Sequence, residues 1–96
     1  MFAGFNAATA ISTSVISTLT KQALRTGLNF DVTAVNTSAT NYFWFITPYT
    51  VTSVIQAGFD IFSDFEYTTF TYLNHTYNCY RLKSASAVST FKFTIK

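Results

Sequence analysis

Charge is scarce in this chain. Of 96 residues only 10% are Asp, Glu, Lys or Arg, six basic and four acidic, for a formal net charge of +2. Soluble domains average about 25%. A disordered tail needs low hydrophobicity and high net charge, so that class is excluded. The surface of a freely soluble enzyme is usually far more ionic, and the net charge falls short of a nucleic-acid footprint. A single cysteine, Cys79, excludes an internal disulfide framework. A single histidine, His75, leaves too few soft ligands for a zinc site, which takes three or four. The three glycines, Gly4, Gly27 and Gly58, are scattered, so no phosphate-cradling loop exists. No cofactor is expected. The longest unbroken apolar run, Tyr42 to Ile46, is far short of the roughly 20 residues that span a bilayer as a helix. Met1 to Ala10 contains no Lys or Arg, hence no basic region of a signal peptide, and the chain is expected to be used without secretory cleavage.

What is present is apolar, aromatic and hydroxylated. Hydrophobic residues make up 49% and aromatics 19%, with eleven Phe and six Tyr, while Thr and Ser contribute 26 residues. The polar surface is therefore mostly hydroxyl. In so Thr- and Ser-rich a chain, the glycosylation patterns at Asn36-Thr37-Ser38 and Asn74-His75-Thr76 are expected by chance.

Ala7 to Thr26 contains neither Pro nor Gly, and Ile11, Val15, Leu19 and Ala23 recur every four residues. That stripe predicts an N-terminal helix over residues 7–26, capped by Asn6 and stopped by Gly27. The β-branched Thr13, Val15, Ile16, Thr18 and Thr20 oppose it, and the same residues also alternate as a strand would. The stripe would either cover the chain's own sheet or anchor it to a neighbour.

Residues 28–96 read as strands. Leu28 to Val35 alternates, and Asn36 to Asn41 is a turn cluster. Tyr42-Phe43-Trp44-Phe45-Ile46 is apolar on both faces, as a strand covered on both sides would be, and Pro48 ends it. Tyr49 to Ile55 resumes as a strand that Gln56-Ala57-Gly58 breaks, and Phe59 to Phe65 reads as a short strand, a turn and a strand. Phe65-Glu66-Tyr67 and Phe70-Thr71-Tyr72 have opposite parity, which predicts a bulge at Thr68-Thr69. Leu73 to Thr76 has the look of a hairpin turn, and Tyr77 to Lys83 follows as a strand. Phe91, Phe93 and Ile95 alternate with Lys92, Thr94 and Lys96, and lysines on the outer face suit an edge strand. Six or seven short strands in one domain, residues 1–96, predict a mainly β fold: an antiparallel sandwich or jelly roll with an N-terminal helix.

Candidate chemistry is sparse. In a strand, His75 and Cys79 would share a face but sit ~13 Å apart, too far for a catalytic dyad. Asp60, Asp64 and Glu66 form the only acidic cluster, and their spacing matches no calcium loop, so solvated strand and turn charges are expected. Arg81, Lys83, Lys92 and Lys96 make the last sixteen residues wholly basic in ionised side chains. Interleaved with Tyr77, Tyr80, Phe91 and Phe93 they have the composition of a single-strand stacking platform, but four charges are few and nucleic acid is not expected. A positive edge here meeting the Asp60–Glu66 edge of another copy is the preferred arrangement.

The run Tyr42-Phe43-Trp44-Phe45-Ile46-Thr47-Pro48 resembles a segment of small β-sandwich structural domains in tailed-phage virion proteins. Tyr77-Asn78-Cys79-Tyr80-Arg81, a Ser/Ala loop and Phe91-Lys92-Phe93-Thr94-Ile95 are similar too, so the resemblance covers about half of the chain. It implies a tail, neck, fibre or capsid-decoration component that attaches and cements, made in a host cytoplasm and carried in the virion. It brings no catalytic residues, and the N-terminal helix lies outside it. The expected function is thus a non-enzymatic structural subunit packing against copies of itself and other virion proteins, with no small-molecule substrate and no membrane span. The expected assembly surface is Ile11, Val15 and Leu19, with Asp60, Asp64, Glu66, Arg81, Lys83, Lys92 and Lys96. The alternative is a carbohydrate-binding or adhesive module using surface Tyr and Trp.

Overall fold

The aromatic strand in the middle of the chain organises everything around it. In the structure, a computed structural model, residues 1–21, 30–85 and 90–96 are described, with the backbone alone at 21, 30–34 and 90–93. The described elements run β1 (Phe2–Asn6), α1 (Thr13–Thr18), β2 (Thr20–Lys21), β3 (Phe30–Val35), β4 (Tyr42–Thr47), β5 (Val54–Gln56), β6 (Phe59–Asp60), a 3₁₀ turn (Phe62–Asp64), β7 (Phe65–Tyr72), β8 (His75–Leu82) and β9 (Thr90–Ile95). They form two open antiparallel sheets, one of five strands in the order β2-β1-β4-β8-β7 and one of four in the order β3-β9-β5-β6. The protein is mainly β, as expected.

β4 lies at the centre of the larger sheet, and its pleat sends alternate residues to opposite sides. Phe43 and Phe45 join Met1, Ala3, Phe65 and Tyr80 in a cluster that also takes in Val54 and Ile95 from the smaller sheet. Phe45 stacks on Tyr80 at 4.7 Å between ring centroids, and Phe65 meets Phe45 edge-on at 5.3 Å. Burying the Tyr80 ring demands a partner for its hydroxyl, which accepts a hydrogen bond from Val51 N–H at 3.3 Å. On the other side, Trp44 and Ile46 pack with Cys79 under Val15, Ile16 and Leu19. Phe43, Phe45 and Ile46 have no exposed surface and Trp44 only 2%. The two-faced apolar run is therefore a strand covered on both sides, and it ends at Thr47, before Pro48.

The helix is much shorter than residues 7–26. α1 has six residues, with Ser12 as its N-cap, the Oγ accepting from Val15 N–H at 3.3 Å. Asn6 ends β1 instead; its side chain accepts from Ala8 N–H and donates to Thr18 Oγ1, both at 2.8 Å. The β-branched and hydroxylated residues explain the shortfall. Ser17 and Thr18 donate back to Ser14 O and Val15 O, an alternative to helical continuation, and Leu19 is already extended. Thr20 and Lys21 then pair with β1. Gly4 lies beside this segment at φ 155°, a backbone conformation that L side chains rarely adopt, and a Cβ there would meet Leu19 Cδ2 in ordinary contact at 3.4 Å. The anticipated end of the helix, with Ala23, Arg25 and Gly27, falls outside the described residues.

Three further expectations are corrected. Nine strands are described rather than six or seven, β1 among the additions. No bulge interrupts β7, whose register with β8 is continuous from Phe65↔Leu82 to Tyr72↔His75. The change of parity is real but has another cause: Phe65 packs into the cluster between the sheets, while Phe70 and Tyr72 pack on the helix side. β9 is not an edge strand, because it pairs with β3 on one side and β5 on the other.

Turns follow local chemistry. β7 and β8 are joined by Leu73 and Asn74 at φ 50° and 65°, and β5 and β6 by Ala57 and Gly58 at 51° and 83°. Two successive positive φ values make the tight hairpin turn whose twist matches antiparallel strands.

Candidate functional site

Register brings three of the singled-out side chains together. Across adjacent strands, Trp44 on β4 stands opposite Arg81 on β8, and Arg81 stands opposite Glu66 on β7. Directly opposed residues share a face about 4.5–5.5 Å apart, so the three form a row on the helix side of the larger sheet. With Tyr67, Thr68 and the segment Thr9–Ile11 they line a cleft of about 330 Å³. The Arg81 guanidinium lies 4.7 Å from the centroid of the Tyr42 ring and donates to Leu82 O at 3.0 Å. A cation over an aromatic face is held electrostatically and loses mobility. Trp44 is buried, and its indole N–H has no hydrogen-bond partner among the described residues. Nothing in the sequence flagged that donor, because only the register shows which polar atoms a strand carries inward.

The other candidates take different places. Val15 and Leu19 are buried at 3% and 8% exposure in the layer over the chain's own sheet, and Ile11 packs at its margin. The stripe covers this protein's core, so Val15 and Leu19 are removed from the candidate assembly surface. Asp60 is a local fastener, its Oδ1 accepting from Val54 N–H at 3.3 Å and Phe62 N–H at 3.0 Å. Asp64 and Lys83 are joined within the chain, Lys83 N–H donating to Asp64 O at 2.9 Å, while Lys83 Nζ reaches Ser63 O at 3.1 Å. Lys96 is exposed, and Lys92 pairs through its backbone with Thr33. Glu66 and Arg81 thus stand opposite each other on β7 and β8, with Asp64 and Lys83 joined through their backbones just beyond.

His75 and Cys79 lie on β8, one exposed beside the hairpin turn and the other fully buried. Burial pushes the Cys79 thiol up to about 11, so it carries no thiolate at neutral pH. Among the described residues, no three His, Cys, Asp or Glu side chains gather as a metal site, and no helix is long and apolar enough to cross a membrane.

Among the described residues, the large exposed apolar side chains lie at the sheet margins. They are Val35 on β3, Phe59 on β6, Tyr67 on β7 and Leu73 in the turn after β7, at 57–75% exposure. Among the described residues, β3, β6 and β7 are three of the four terminal strands in the two sheets.

The architecture is thus that of a mainly β protein with two open antiparallel sheets. Comparison with protein-family models, curated proteins and solved structures finds no match to this chain.

Proposed function

We propose that this protein is a non-enzymatic β-sandwich subunit of a phage or virus particle, at a tail, neck, fibre or capsid-decoration position, and that it works by repeated protein–protein packing. The observation that carries this reading is the placement of Val35, Phe59, Tyr67 and Leu73 on or beside terminal strands. Monomeric β proteins blunt their edges with charge, proline or cover, because unpaired N–H and C=O groups template association. Here the edges carry apolar side chains in a chain with only 10% charged residues. The shared cluster of Phe43, Phe45, Val54 and Ile95 supports the sandwich. Quantitative mass spectrometry of gradient-purified particles from the source culture tests the placement. Many copies per particle are expected; absence from particles overturns the assignment.

The cleft supports a second reading, binding of a neutral polyol such as a sugar. Trp44 is too deeply buried to act as a surface stacking platform, so Arg81, Glu66 and Tyr67 along the cleft would supply the contacts. Glycan-array binding by the isolated protein, lost in Arg81→Ala, is the expected result under that reading; a silent array contradicts it.

A further inference from the structure

We infer that β7 is a homodimerisation edge, at which two copies pair antiparallel about a two-fold axis and join their larger sheets into one. The inference rests on the repeated-packing reading and names its partner and geometry. Of the four terminal strands, β2 and β6 have two residues each and β3 has six, whereas β7 has eight. Short edges template little, so among the described residues β7 is the longest edge left open. Among its eight residues only Glu66 is charged, and Glu66 to Thr69 are all exposed.

The backbone fixes which groups face outward. A two-residue turn is closed by a hydrogen-bonded pair, here Tyr72 and His75, and such pairs then alternate along the ladder. Lys83 N–H donating to Asp64 O at 2.9 Å, at the far end of the same ladder, agrees with that phase. Even-numbered residues of β7 therefore turn their N–H and C=O toward β8. Phe65, Tyr67, Thr69 and Thr71 turn theirs to the open side.

A two-fold axis relating antiparallel edges must run perpendicular to the sheet, so it keeps each face on its own side. Opposed residues must then have equal parity, which leaves two central registers, Thr68 opposite Thr68 or Thr69 opposite Thr69. Both match outward groups with outward groups. In the first, Glu66 faces Phe70 of the other copy; in the second it faces Tyr72. The two Glu66 side chains end up ~13 Å or ~20 Å apart along the strands, beyond a Debye length of about 8 Å. Neither register opposes like charges, and both place threonines at the axis. Tyr67, 57% exposed, gains cover from the incoming Thr69 or Thr71.

Two variants test this. Thr69→Pro removes an outward donor without removing a bond to β8. Single cysteines at Thr68 or Thr69, in a Cys79→Ala background because Cys79 lies opposite Thr68, report the axis directly. Wild type is expected at twice 10.7 kDa by light scattering, with Thr69→Pro twofold lighter and still folded by circular dichroism. Mild oxidation is expected to cross-link one of the cysteine variants into dimers, since either Cα separation lies within disulfide range. If Thr69→Pro does not fold, the cross-link alone decides. A wild-type oligomer in which neither cysteine cross-links overturns the β7 edge and leaves repeated packing standing. A wild-type monomer at all concentrations overturns both.

Discussion

β4 and β7 belong to one sheet and are both rich in aromatics, yet they have opposite fates. β4, Tyr-Phe-Trp-Phe-Ile-Thr, buries every residue after Tyr42; β7, Phe-Glu-Tyr-Thr-Thr-Phe-Thr-Tyr, buries only Phe65. The difference is one of cover. β4 has the smaller sheet on one side and the α1 layer on the other, with paired strands at both edges. β7 has β8 alone beside it and no further described strand. Its threonines suit a half-wet surface, where hydroxyls tolerate water now and a polar neighbour later. A strand buried on all sides sustains the fold, and a strand left open is available to a partner.

That contrast can be broken at graded cost. Phe45→Ala removes a ring from the fully buried cluster, and a loss of about 3–5 kcal/mol in urea unfolding is expected. A loss below about 1 kcal/mol would mean that the cluster is loosely packed. Val15→Asp places an unpaired charge in the layer over Trp44 and Ile46, and should lower stability by about 3 kcal/mol. A stable, folded Val15→Asp protein that no longer associates would instead restore the helix stripe as an anchor.

Alkaline pH offers a smaller effect. Burial raises Cys79 to about 11 from 9.0 and also raises Tyr80, despite the lowering effect of its hydrogen bond from Val51. A raised value means that the folded state holds its proton more tightly. Stability is therefore unaffected below about pH 9 and falls as pH rises toward 11. Melting temperatures should decline over that window, and less steeply in Cys79→Ala. An identical decline in the two proteins would place the thiol in water. Thr69→Pro should cost least, under about 1 kcal/mol, because proline is tolerated where a strand N–H faces outward.

Features set by neighbouring residues were legible from sequence. The double apolar face of Tyr42 to Ile46, the stop at Pro48 and the hairpin turn near Leu73-Asn74 follow from strand parity, a missing donor and tight-turn geometry. Features set by distant partners were not. Ile11, Val15 and Leu19 fit a helical period, but back-bonding by Ser17 and Thr18 ends α1 early. β1 was invisible because Phe2-Ala3-Gly4-Phe5 has no clear alternation until β4 pairs with it. Lysines alternating along β9 suggest an edge, yet β9 is paired on both sides, because alternation reports a face and says nothing of lateral neighbours. The row Trp44–Arg81–Glu66 depends on two registers at once, which no spacing within one strand encodes.

Self-association through an open edge is the central claim, and mass in solution tests it most directly. Light scattering during size exclusion, run across a wide range of concentration, should give twice 10.7 kDa or a larger assembly built from that pair. A single species of 10.7 kDa at every concentration would contradict it.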